Sequence, residues 1–237
     1  MRHFGTICLV TLICACFAGC SRNENSSSPL TADQSAAKTR LEEQMKKATQ
    51  TAQTYHAMDN PTLLNHLLEQ SKALKEPFNS LAYRELKTRS DVDPKALTAM
   101  VNQNQNVAGL LPLLLLRKLD NKSYLALSAE TRAKILTDAL QASKTFNTWG
   151  LPGFYLEDAS NAMIEAGRST IPALRSMLRD TRPAPVFGSK EYMLAQRLKY
   201  RLCDYALFFL KRAEGDGQFT LPSSPEERDT LIKKEQK

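Results

Sequence analysis

The sequence predicts an all-α fold of roughly eight to ten helices. Three observations predict it. Apolar residues recur three and four apart along most of the chain. Helix-start signals repeat, each a capping side chain set before proline or an acidic residue. No stretch shows sustained period-two alternation bounded by turn signals; Val186-Phe187 is short and flanked by Pro183 and Pro185.

Composition agrees with one globular body. Of the 237 residues, 42% are hydrophobic and 24% charged, which excludes a disordered chain and a polytopic membrane protein. Nine glycines and 7% aromatics are too few for a barrel or sandwich with many tight turns. The net charge of +7 makes the surface moderately basic.

Taken in order, residues 1–19 read as a signal segment. Arg2 supplies the positive start, and the apolar run 7–18 is broken by Thr11. It is short of the roughly 20 residues a membrane-spanning helix needs. It ends in Phe17-Ala18-Gly19-Cys20, where small residues at the two positions before cysteine resemble the lipobox of bacterial lipoproteins. The resemblance implies that the mature chain begins at Cys20, that its thiol becomes a diacylglyceryl thioether and that its amine is acylated. Two or more acyl chains give stable anchoring. Ser21 after the cysteine is similar to the pattern of outer-membrane lipoproteins, so the implied location is the bacterial envelope, on the outer membrane facing the periplasm. Of the five cysteines, Cys8, Cys14 and Cys16 leave with the signal and Cys20 takes the lipid. Cys203 remains without an internal disulfide partner.

Residues 20–38 read as the lipidated cysteine and a flexible tether rich in Ser, Asn and Gln, with Pro29 among them. Its reach is roughly 20–25 Å. The helical domain is expected over 39–237. Ala37, Leu41, Met45, Ala48, Ala52 and Tyr55 step by three and four, a narrow stripe that fits a coiled-coil arm or a partly exposed first helix. Asn60-Pro61, Asp93-Pro94, Ser128 and Ser224-Pro225 mark helix starts. Leu63, Leu64, Leu67 and Leu68 share one face; Phe78, Leu81, Ala82 and Leu86 another; Ile135, Leu136, Ala139 and Leu140 a third. The segments 107–116 and 202–210 are apolar almost all round and belong inside the array.

Over 166–180 the chain reads Ala166-Gly167-Arg168-Ser169-Thr170-Ile171-Pro172-Ala173-Leu174, then Leu178 and Asp180. This resembles the second half of a HEAT repeat, with 157–165 as the preceding helix. Leu111-Pro112, Leu114 and Asp120 repeat the pattern at a shift of 60 residues. The resemblance covers 157–180 clearly and implies a HEAT-like lipoprotein: an irregular right-handed α-solenoid of stacked helical hairpins, each pair burying its face against the next.

The residues offer little chemistry. His3 leaves with the signal, and His56 and His66 are split by the Asn60-Pro61 break. Zinc-protease, nucleophile-elbow and phosphate-loop motifs are missing. No catalytic residue, metal site or cofactor is therefore assigned. Asp204, alone in an apolar helix, calls for an ion pair with Arg201 or Arg197, or else is an acid in a pocket. Glu157-Asp158 and Glu226-Glu227 complement helix starts. Arg175, Arg179 and Arg182, and Arg197, Lys199 and Arg201, form basic clusters. In an exported chain these suit anionic envelope surfaces and not nucleic acid.

Two loops are longer than helix–helix turns require, 144–154 and 181–189. They bracket the HEAT-like pair and are expected at the same end of the stack. They hold Trp149, Phe154, Arg182 and Phe187, residue types that dominate binding hot spots. Trp149 and Phe187 either meet a partner or fold back over the apolar end of the array. The expected function is a membrane-anchored scaffold for a protein partner in the envelope. The alternatives are a helical carrier of an apolar or anionic small ligand and an envelope-acting hydrolase.

Overall fold

The computed structural model describes residues 32–188 and 192–236. The expected signal segment, the lipidation residue Cys20 and the tether up to residue 31 lie outside the described residues. The chain divides into two compact units at Thr49. The described part of the first is helical, within α1 (Ala32–Ala57). Residues 32–38, expected as tether, are therefore helix. Its side chains from 33 to 49 are exposed, Leu41 and Met45 about half so, and Lys38 reaches Glu42 one turn on at 3.9 Å.

The second unit is mostly helical, as the periodicity predicts. Its helices are α2 (Asn60–Lys72), α3 (Leu81–Leu86), α4 (Pro94–Gln103), α5 (Leu110–Leu119), α6 (Asn121–Ala126), α7 (Ala129–Ala142), α8 (Asp158–Ala166), α9 (Ile171–Met177), α10 (Tyr192–Leu198), α11 (Leu202–Glu214) and α12 (Pro225–Glu235). Asp93, Ser128 and Ser224 cap α4, α7 and α12 as expected, each accepting a bond from a backbone N–H of the first turn. At α2 the cap is Asp59, one residue before the expected Asn60, and its carboxylate accepts from Thr62 N at 2.9 Å. Asp120 caps α6 in the same way.

Packing joins some neighbours in the chain, such as α4 with α5 and α7 with α8, and also elements further apart, such as α2 with α5 and α9 with α11. Helix α5 lies among α2, α4, α6 and α7, with Leu110, Leu111 and 113–116 buried. Helix α11 lies against α8, α9 and α12, and Leu202 and Phe209 are each 1% exposed. Ile171 is only partly buried against the same core. Phe78 departs from its expected face: it sits in the turn before α3 and is 54% exposed. At the end of loop 144–154 a short antiparallel hairpin pairs β1 (Gly150–Leu151) with β2 (Tyr155–Leu156), and a single antiparallel bridge joins Pro183 to Arg201. Gly150 makes it possible, since its φ is +77° and a Cβ there would stand 2.7 Å from the Tyr155 carbonyl.

Candidate functional site

The two long loops do meet. Phe146 N donates to Pro185 O at 2.9 Å, and the Asn147 side chain bonds Phe187 at both ends, Nδ2 to its carbonyl at 2.6 Å and Oδ1 from its N–H at 3.1 Å. An amide side chain here stands in for a strand, fixing loop 181–188 against loop 143–149. Stacking of Phe187 on Tyr192, with centroids 6.4 Å apart, extends the aromatic surface toward α10.

The end of α2 supplies the facing wall. The helix stops in a Schellman turn: Lys75 N donates to Gln70 O and Leu74 N to Ser71 O, at 3.0 and 2.9 Å. The left-handed position, normally glycine, is Leu74, with φ 53°. A leucine there carries backbone strain of about 1–2 kcal/mol, and strain of this kind gathers at functional sites.

Between these walls runs a trough of two adjoining pockets. The outer one, about 540 Å³, has Phe78 and Phe187 on its rim. The inner one, about 130 Å³, reaches Leu110 and Trp149. Both are lined by Leu74, Lys75, Glu76 and Thr145, so the two adjoin. Glu76 is 9% exposed, and its Oε1 accepts from Thr145 Oγ1 at 2.7 Å.

The four expected contact residues divide. Trp149 is fully buried, which takes it out of the candidate partner-contact set and agrees with the alternative that it folds back into the array. Its Nε1 donates to Ser143 Oγ at 2.9 Å and its ring meets Phe209 edge-on at 5.9 Å, so a polar handle and an apolar body are both satisfied inside. Phe187 is 50% exposed on the trough rim. Phe154 is exposed at the tip of the hairpin, and Arg182 is held by Asp180 and by the Gln141 carbonyl at 2.7 Å. Neither lines the trough.

Sequence reasoning missed Leu74, Glu76 and Phe78. For Phe78 a signal existed: Pro77, Asn79 and Ser80 are turn residues, and they outweigh an apolar face drawn through position 78. Nothing local announces the other two, because Thr145 lies 69 residues from Glu76.

The remaining candidates are occupied elsewhere. Asp204 is completely buried and bonded by Arg201, whose backbone N and Nε reach Oδ2 at 2.9 and 3.1 Å, with Arg228 rather than Arg197 alongside. Asp158 faces Arg117 at 3.6 Å, and Glu165 grips the same guanidinium at 2.6 and 2.9 Å. That pairing, led by the Arg117 hydrogen bond, holds the Glu165 carboxyl below its usual range. Arg175 pairs with Glu214 at 2.6 Å and Arg201 with Asp229 at 2.6 Å, which thins both basic clusters. Burial pushes the Cys203 thiol up to about 11, so it is not an activated nucleophile. Among the described residues no group of three or more His, Cys, Asp or Glu side chains could hold a metal ion, and no helix is long and apolar enough to cross a membrane.

Comparison with protein-family models, with curated proteins and with solved structures returns no match to this chain.

Proposed function

We propose that the chain is a lipid-anchored envelope protein, held by Cys20, whose helical body is a HEAT-like stack that docks a protein partner in the trough between α2 and the two long loops. The lipobox-like ending of the signal supports the anchor. The packing of α4 on α5, α5 on α6 and α7 on α8 supports the stack. The observation that carries the docking site is the trough itself: exposed aromatic rings, Phe78 and Phe187, stand on a rim whose loops are pinned in advance by the Asn147 bonds. Preorganised loops lower the ordering cost of binding.

A polypeptide suits this shape better than an enclosed small molecule. The inner pocket, at about 130 Å³, takes one side chain, and the outer one, at about 540 Å³, is an open groove rather than the concave, ligand-burying cavity that small-molecule sites offer. The outer groove accommodates the chain that carries it.

Photocrosslinking in the native envelope tests the reading. A benzoylphenylalanine at position 187 should give a discrete protein adduct, and the same group at Leu125, equally exposed on α6, should not. Identical adduct patterns from both positions overturn the site. Cys20→Ser should release the chain from membranes, and retention after a high-salt wash overturns the anchor.

A further inference from the structure

We infer that the partner segment docked in the trough presents a cationic side chain, arginine or lysine, to Glu76. The inference rests on the docking site proposed above and names the chemistry of its occupant.

Among the described residues Glu76 is the one carboxylate that lines the trough, and it lines both pockets. It is 9% exposed, so most of its hydration is gone. Its side chain accepts one hydrogen bond, from Thr145, and among the described residues it has no ion pair. A carboxylate withdrawn from water demands a cation and further donors. Elsewhere the fold meets that demand: Asp204 has Arg201 and Arg228, and Glu165 has Arg117. At Glu76, which lines both pockets, the trough is open to a further donor.

The surroundings suit an arginine or lysine. Phe78 and Phe187 line the same outer pocket, and aromatic faces attract a cation. Leu74 supplies apolar surface along which an aliphatic stem can lie. Two lysines, Lys75 and Lys144, oppose the inference and restrict it. Both are exposed to solvent, Lys75 lining both pockets and Lys144 the inner one. Solvated ammonium groups repel weakly, and the buried carboxylate outweighs them at short range. Lys144 lines the inner pocket alone, so the outer pocket with Phe78 and Phe187 faces one of the two lysines rather than both.

Titration calorimetry of the full-length chain in detergent micelles tests this with two probes, acetyl-Gly-Leu-Arg-Leu-Gly amide and the same peptide with neutral citrulline for arginine. The arginine peptide should bind about tenfold tighter than the citrulline peptide, the factor expected of a charge-assisted bond. Glu76→Gln should remove that difference, weakening the arginine peptide more than the citrulline peptide. Lys75→Gln, an exposed change that leaves the core intact, should tighten the arginine peptide about two- to threefold. This second variant and the peptide pair decide the matter if Glu76→Gln does not fold. Equal binding of the two peptides to the wild type, or no detectable binding of either, overturns the inference. Phe187→Ala separates the two levels. If it weakens both peptides while they bind alike, the trough is a docking site and the cation assignment fails. If both peptides bind and neither responds to it, the docking site itself is lost.

Discussion

Arg228 and Asp204 face each other with neither side chain exposed, Nε 3.2 Å from Oδ1. Arg228 Nη1 donates to the carbonyls of Pro222 and Ser223 and Nη2 to that of Leu198, while Nε meets Asp204 by charge rather than by an aligned hydrogen bond; the guanidinium lies 4.9 Å over the Tyr200 ring. Arg201 bridges Asp204 and Asp229, so two cations balance two anions where α12 closes over the start of α11. Such a cluster adds little net stability, yet halving it is costly because a charge is left buried and uncompensated. Asp204→Asn should therefore lose about 3–5 kcal/mol in urea denaturation. The double variant Asp204→Leu with Arg228→Met should lose less than the sum of its single changes. A loss from Asp204→Asn no larger than the roughly 1 kcal/mol of a surface pair contradicts this assignment.

The same cluster shows how far the sequence could be read. Arg201 lies three residues before Asp204 on one helical turn, so that pair was legible from spacing. Arg228 was not, because it reaches Asp204 from another helix. The caps at Asp93, Ser128 and Ser224 were legible for the same local reason, as were the buried runs of α5 and α11. Loop aromatics carry no period that tells inside from outside. Trp149 is buried because Ser143 offers an acceptor and Phe209 a face, while Phe187 stays outside because its backbone, not its ring, is fixed by Asn147.

Trp149 and Phe187 thus separate by stability. Trp149→Ala empties a fully buried site and should cost about 3–5 kcal/mol, visible as a large drop in thermal midpoint. Phe187→Ala and Phe154→Ala remove half-exposed rings and should stay within about 0.5 kcal/mol of wild type. Equal losses at positions 149 and 187 would show that both rings belong to the core.

Leu74 gives a test of backbone strain free of side-chain packing. Both Leu74→Ala and Leu74→Gly delete the side chain, and they differ only in backbone preference. In a helix interior alanine is the more stable by about 1 kcal/mol. At φ 53° the order should reverse, with the glycine variant about 1 kcal/mol more stable than the alanine variant in chemical denaturation. The ordinary order at this position would mean that α2 does not end in a left-handed residue.

Alkaline pH should loosen the α11 core, and the direction follows from its thiol and phenols. Burial first, and then the charge of Asp204, pushes Cys203 up from 9.0 to about 11. Burial likewise pushes Tyr200 up from 10.0 to about 12. The folded chain holds these protons to higher pH than the unfolded chain does, so above the unfolded values unfolding releases protons and is favoured as pH rises. The contribution is fully present below pH 9.0, declines across 9.0 to about 11 through Cys203, and declines across 10.0 to about 12 through Tyr200. Denaturant midpoints measured between about pH 8 and pH 11 should fall steadily for the wild type. Cys203→Ala removes the thiol titration and should flatten the first part of that fall, whatever its effect on stability at neutral pH. Parallel curves for the wild type and Cys203→Ala would mean that the thiol titrates as freely in the folded chain as in the unfolded one, and that α11 is not packed as described.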